Sequence, residues 1–476
     1  MITPDSPERL YSTRLRTAVV VTGTGTAGAY HAGVLRALHE AGIRIDVVAG
    51  RGAGAIGALF AAVDGGARLW EAGGIWKRAD AQHFYGWRAP LRAAGWALLA
   101  AAIVLAVPVA LLALAVLAAL VGLLLTLVGL DSAGATVTTS YGRWIGDLFA
   151  PAVLPTYIPR LVLLAVIAAV LALAAGMAAD RIGGRERRRR RQGGAWRLFG
   201  APLTASRLFD RCASEMWNLI RGVAPLAMPP DGELGRRYVE LLSENLGQPG
   251  FREVLVVVHD LDARRDLVFG LLGPSHRGRF FGRTVLGDAA ARQAEAFDLS
   301  GVARDHALDA LAAALAVPVA TEPHLIAFSS EGPWRGERHR TCDRAGSLSR
   351  VLEEVAAAGA EQVIVVAAAP PAAHAHELSA SRMDLKGRAG EPLAAFESAG
   401  LRDAFEQSAG RFAGLYVIRP GHNPLGPLDF GGVFDERSDR MHTLAELVDR
   451  GYEDAYRQFV EPIVGASGER IETVQR

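Results

Sequence analysis

Hydrophobic and polar positions along the chain follow two regimes. In the first, short apolar runs alternate with glycine-rich turns and helically spaced segments. Thr17 to Val21 is a β-branched run ending in a glycine-rich turn, and Gly28 to Ala41 places Leu35 and Leu38 among apolar residues at helical spacing, which predicts a strand followed by a helix. Ile45 to Ala49 predicts a second strand that again runs into a glycine turn. Val254 to Val258 and Val363 to Val366 are short, continuous, β-branched runs of the kind that parallel sheets bury on both faces. Helical stretches separate these strands, so the predicted class is α/β.

The second regime is apolar without a break. From Ala93 to Leu130 no residue is charged, and a straight helix of that length, at about 1.5 Å per residue, far exceeds a hydrocarbon core of roughly 30 Å. Leu161 to Ala179 is close to the ~20 residues that one crossing requires. Two spans, about 96–130 and 161–179, are the simplest count. Breaking the first at Pro108 leaves Ala93 to Val107 short for a crossing, with no Gly/Asn/Asp cluster there to reverse the chain. Core helices of a soluble protein rarely lack a polar face over such a length.

Charge gives these spans a direction. Lys77, Arg78, Arg88 and Arg92 precede the first, while Arg181, Arg185 and the run Arg187, Arg188, Arg189, Arg190 and Arg191 follow the second, so both flanks read as cytoplasmic. Asp131 to Arg160 has few charges and carries Tyr141, Trp144 and Tyr157, which suit a membrane interface; a short outer loop is expected there. The arginine run is also expected to attract anionic headgroups, at roughly 1 kcal/mol per residue near the surface. The N-terminus, MITPDSPERLYSTRLR, carries acidic residues and no apolar h-region, so no cleavable signal peptide is expected. The resulting organisation is an N-terminal segment, 1–92, a membrane insertion, 93–180, a basic linker, 181–200, and a C-terminal segment, 201–476.

Composition adds little chemistry. The net charge of +1 offers no bulk attraction for nucleic acid. Cys212 and Cys342 lie far apart without metal-like spacing, so neither a disulfide framework nor a zinc site is expected, and no cofactor is implied. Lys77 and Lys386 are the only lysines beside many arginines and alanines, which reads as GC-rich bacterial coding and hence a bacterial inner membrane, with the soluble part facing the cytoplasm.

Two glycine turns carry the candidate chemistry. The first, Gly23-Thr24-Gly25-Thr26-Ala27-Gly28, satisfies the dinucleotide pattern G-x-G-x-x-G between a strand and a helix. A ribose-holding acid is expected at the end of the next strand, however, whereas Asp46 sits near its start, which disfavours nucleotide binding. The second turn, Ala49-Gly50-Arg51-Gly52-Ala53-Gly54, has the small flanking residues of a nucleophile elbow, a tight strand-to-helix reversal. Its central position is glycine.

Together, VVVTGTGTAGAYHAGVLRAL and IDVVAGRGAGAIGAL resemble the opening of the patatin-like phospholipase family. The resemblance implies a three-layer α/β sandwich with a mainly parallel central sheet, here interrupted by the two-helix transmembrane insertion. It also implies an oxyanion loop of the form G-G-G-x-R/K-G, an elbow G-x-S-x-G and a catalytic aspartate in D-G-G or D-G-A. On that register Gly23, Gly25 and Gly28 belong to the oxyanion loop, Gly50 and Gly54 flank the elbow, and Gly52 stands at the serine position. Thr24 replaces a loop glycine and Ala27 replaces the basic residue. Ala307 to Pro318 resembles the family's A-S-A-A-x-P region, and Asp343 is the retained dyad aspartate, although Arg344 follows it in place of glycine. Asp429, before Phe430-Gly431-Gly432, is a lower-ranked second candidate. The family's Ser–Asp dyad would act on lipid esters, whereas glycine has no atom to attack with.

The expected function is therefore that of a degenerate lipid acyl hydrolase of the membrane surface that binds lipids or acyl chains. The alternative is an active phospholipase with a non-standard nucleophile, with Thr22, Thr24, Thr26 and His31 nearest the elbow. Each of these reads first as a loop hydroxyl bonded to backbone, or as a structural helix residue. Asp343 has Arg51 and Arg344 as possible partners, and an arginine at a turn is more often solvated. On this register a serine placed at 52 supplies the missing nucleophile. A reporter fused after Arg191 is expected to give a cytoplasmic signal; a signal from the opposite side would overturn the two-span count.

Overall fold

The computed structural model describes residues 11–182, 200–282, 294–332, 334–369, 385–408, 410–421, 425–435 and 440–463. The arginine run from Arg187 to Arg191 and most of the expected basic linker lie outside the described residues. The chain divides into two compact units, Met1–Gly86 with Leu203–Arg476, and Trp87–Pro202.

The first unit is built on a nine-stranded sheet. Its strands are β1 (Thr17–Gly23), β2 (Val47–Gly52), β3 (Glu253–Asp260), β4 (Arg265–Leu271), β5 (Ala294–Asp298), β6 (His324–Ala327), β7 (Arg338–Cys342), β8 (Gln362–Ala367) and β9 (Gly414–Ile418). The order is β9-β8-β1-β2-β3-β4-β5, parallel throughout except between β3 and β4. Alternation within the apolar runs serves two faces, as expected for a sheet covered on both sides. Val19, Val21, Val48, Ile364 and Val366 enter one core, while Ala18, Val20, Val47, Ala49, Val363 and Val365 enter the other.

Helices supply the two outer layers. The first core packs against α1 (Ala27–Glu40), α2 (Gly54–Ala62) and, further along the chain, α8 (Ala307–Leu315) and α11 (Leu444–Ala455). The second packs against α9 (Leu348–Ala357) and α10 (Leu385–Ser408). This is the mainly parallel three-layer α/β sandwich that the resemblance implied. Two helices, α6 (Ser206–Arg221) and α7 (Asp231–Asn245), extend the first layer through Leu208, Met216, Leu234 and Tyr238.

The two ends of the unit are locked by one helix crossing. Thr443 caps α11 through a reciprocal bond with Glu446, the arrangement that T-x-x-E encodes. Gly33 of α1 and Gly451 of α11 then let the helices meet at backbone distance. A methyl built on Gly33 would lie 1.8 Å from the Val448 carbonyl oxygen, and one on Gly451 would lie 2.2 Å from that of Tyr30.

The second unit consists of α3 (Ala89–Leu127), α4 (Asp131–Leu148) and α5 (Leu154–Ile182). Two of them, over Ala89–Leu127 and Leu154–Ala179, are long and apolar enough to cross a membrane. Pro108 lies inside α3 and the helix continues past it, so no third span arises there. The segment expected as a short outer loop is mostly helical. Its helix α4 doubles back along the end of α3, because Gly122 and Gly134 allow close approach and the Tyr141 hydroxyl donates to the Leu111 carbonyl at 2.8 Å. Helix α5 runs beside the start of α3, where Gly176 faces the Pro90 ring.

Gly33→Ala is expected to destabilise the first unit by about 1–3 kcal/mol, as overpacking does in a closed core. The check is chemical unfolding, and an unchanged midpoint would show that the crossing yields without cost.

Candidate active site

Strand pairing brings the elbow and the aspartate together. Along one edge β3 is occupied by β4 from Val254 to Asp260. Its other edge carries β2 only as far as Gly50 opposite Val256. Beyond that point β7 joins in antiparallel sense, with Cys342 opposite His259 and Thr341 opposite Asp260. The residue after β7 is Asp343, and it is thereby delivered to the place where β2 ends at Gly52. The Asp343 N–H, bonded to the Ala316 carbonyl after α8, fixes that position.

The elbow glycines have steric work to do. Gly52 sits at φ +55°, in the left-handed region. A Cβ on Gly50 would lie 2.5 Å from the Gly54 carbonyl oxygen, and one on Gly54 would lie 2.0 Å from that of Val21, so β2 can turn into α2 only if both stay bare. Gly23 and Gly25 form the loop between β1 and α1, and Gly28 lies under the Trp76 ring in the first turn of α1. A Cβ on Gly52 would come within 2.8 Å of Asp343 Oδ2 and 2.4 Å of the Gly23 carbonyl oxygen. The aspartate thus stands where it would serve a side chain at 52, and the backbone has closed over the place that side chain would need.

Arg51 fills the electrostatic role at this centre. Rather than being solvated, it is fully buried. Its Nη1 donates to Asp343 Oδ1 at 2.7 Å and to Oδ2 at 2.9 Å, and its Nη2 bonds Glu397 of α10. Asp343 Oδ1 also accepts the Arg344 N–H at 2.8 Å, whereas the Arg344 side chain turns away to Asp266. The Thr24 hydroxyl donates to Asp343 Oδ2 at 2.9 Å. Sequence spacing did not bring Thr24 to the aspartate, because the contact joins the β1 turn to the end of β7 across the sheet edge. Glu397 was missed for the same reason: it lies on an amphipathic helix with no local signature.

Two of the donors around this turn are engaged within the chain. In a hydrolase elbow the N–H after the nucleophile faces the oxyanion; here the Ala53 N–H donates to the Gly23 carbonyl at 2.8 Å. The Thr26 N–H donates to the Pro427 carbonyl at 2.9 Å, and the Thr26 hydroxyl to that of Gly426 at 2.7 Å. The 425–430 segment is itself anchored, with Phe430 stacked on Tyr85 and the Gly426 N–H held by Asp429. Asp429, the second aspartate considered, therefore braces this covering segment and does not face Gly52.

His31 offers no substitute base. Its Nε2 lies 2.9 Å from the Thr22 carbonyl oxygen. Burial, aided by the nearby Arg51 charge and opposed by the Thr22 hydrogen bond, pushes the imidazole down to about 3, so it stays neutral near pH 7. Asp46 does not resemble a ribose ligand, since Oδ2 accepts the Thr17 N–H and Oδ1 faces Arg44. Among the described residues no cluster of His, Cys, Asp or Glu could hold a metal ion.

A family model described as patatin-like phospholipase matches residues 19–343. No curated protein matches. Among solved structures, VipD from Legionella pneumophila matches at 14% identity and a TM-score of 0.28, covering 93% of this chain and 66% of that chain. The chain thus spans just under two thirds of that protein's length.

A serine at 52 is not accommodated as the register alone suggested, because its Cβ meets backbone. Gly52→Ser is expected to lose about 1–3 kcal/mol of stability by overpacking, read as a lower melting temperature, and to gain no ester hydrolysis. A variant as stable as its parent that turns over a short-chain ester would sink the closed-site description.

Proposed function

The chain belongs to the patatin-like phospholipase family, and from that premise we propose that it is a membrane-anchored lipid- or acyl-binding protein whose Ser–Asp hydrolysis has been lost. One observation carries the reading: Gly52 presents no side chain to Asp343, and Arg51 has taken the carboxylate instead. A dyad aspartate must accept the nucleophile's proton, yet this one is engaged by the Arg51 guanidinium, the Arg344 N–H and the Thr24 hydroxyl. Loss of a serine nucleophile costs about 10⁶ in turnover in the subtilisin case. The engaged Ala53 and Thr26 N–H groups are two donors fewer for an oxyanion.

Anchoring rests on the two apolar helices and on the charges that flank them. Two crossings with arginine-rich flanks make a multi-pass protein of a bacterial inner membrane whose soluble part faces the cytoplasm. The insertion, about 93–180, and the basic stretch after it set the reach of the soluble part to the bilayer. Arg187 to Arg191 contribute attraction to anionic headgroups.

A second reading has its own observation. The Thr24 hydroxyl, 2.9 Å from Asp343 Oδ2, is the one hydroxyl among the described residues within hydrogen-bonding reach of that carboxylate, and a threonine can act as a nucleophile when a base takes its proton. Treating the full chain in detergent with a fluorophosphonate probe, beside short-chain ester assays, separates the two. The expected result is no labelling and no turnover in the parent. Turnover abolished by Asp343→Asn would overturn the degenerate reading, and its further loss in Thr24→Ala would assign the nucleophile.

A further inference from the structure

Arg51 is only partly used by its neighbours. Guanidinium is a planar fork of N–H donors with no acceptor. Nη1 serves both oxygens of Asp343, Nη2 serves Glu397, and Nε is buried without a hydrogen-bond partner among the described residues. The Nε and Nη2 hydrogens run side by side along one edge of the fork, the edge that takes a carboxylate or phosphate through two bonds at once. Glu397 reaches Nη2 and leaves Nε unmatched. A buried donor left unmatched is costly, so an oxyanion that takes both corners gains a bond that Glu397 does not make.

The charges identify which partner can leave. One guanidinium faces two carboxylates, so one of them is surplus. Asp343 is held by Arg51, Thr24 and the Arg344 N–H, with its side chain 1% exposed. Glu397 has Arg51 as its one side-chain partner among the described residues, is 11% exposed, and comes from α10, after the residues matched by the family model. The first turn of α2, at Gly54, adds the positive end of a helix dipole beside the same centre.

We propose that the Nε–Nη2 edge of Arg51 receives the carboxylate or phosphate group of an acyl lipid, with Glu397 as the resident surrogate that the lipid displaces. This rests on the lipid-binding reading above. In the resting chain α10 is tied to Arg51 through Glu397; with lipid bound, that tie is broken and the helix no longer covers the guanidinium.

The test uses the full chain in detergent micelles, with oleate and dodecyl phosphate as probes and acetate and inorganic phosphate as headgroup-only controls. Glu397→Gln is expected to bind oleate on the order of tenfold tighter, because a competing charged hydrogen bond is gone. Arg51→Lys keeps a cation for Asp343 and the fold, yet is expected to bind on the order of tenfold more weakly, since the two-bond edge is lost. A melting curve on each variant separates lost affinity from lost structure. Oleate affinity unchanged by both variants would overturn the Arg51 site while leaving lipid binding intact. No binding of either lipid by the parent or by Glu397→Gln would overturn both readings. Acetate or inorganic phosphate binding as tightly as the lipids, with the same dependence on Glu397, would overturn the lipid assignment.

Discussion

A guanidinium sealed from water at the end of a central β-strand has to be neutralised, because the effective penalty for burying a charge is several kcal/mol. Arg51 is such a group, and much of the surrounding geometry follows from it. Asp343 answers it from the end of β7 and Glu397 from α10, so one side chain of the elbow draws together a strand terminus and a covering helix. The same aspartate then cannot present free lone pairs to a nucleophile. Asp343 is in this structure first of all the counter-ion of Arg51.

The sheet was legible because its strands are short β-branched runs between glycine turns. Thr17–Val21, Val254–Val258 and Val363–Val366 appear as strands with slightly wider bounds. The tight turn from β2 into α2 was legible in its glycines, since a Cβ on Gly50 would meet the Gly54 carbonyl and one on Gly54 that of Val21. What could not be read were contacts made across the sheet edge. Thr24 and Asp343 are distant in the chain and meet only because β7 continues the edge that β2 vacates. Burial of Arg51 likewise depends on α10, and closure of the turn after β1 on Pro427. The helix α4 was missed because its threonines, glycines and serines resemble a loop until Gly122 and Gly134 place it against α3.

Residues that define the family and residues that close its site occupy different stretches of the chain. The match ends at Asp343, whereas Glu397, Pro427, Asp429 and Phe430 all lie after it. The centre is therefore bounded by two parts of the first unit, Arg51 and Gly52 on one side and the C-terminal segments on the other, while α2, β1 and β2 pack into the common core.

The crossing of α1 and α11 has a further consequence for synthesis. The first strand and helix of the chain are made early, but β1 receives its neighbour β8 only when residues 362–367 emerge, and α1 is covered only when Gly451 arrives. Until then the N-terminal βα unit has one unpaired edge and an exposed apolar face. The family-matched stretch is accordingly not a self-sufficient folding unit: a polypeptide ending at Asp343 would carry the recognisable signature without the strand and helix that complete its core. The first unit is completed only when its two chain segments, separated by residues 87–202, are brought together.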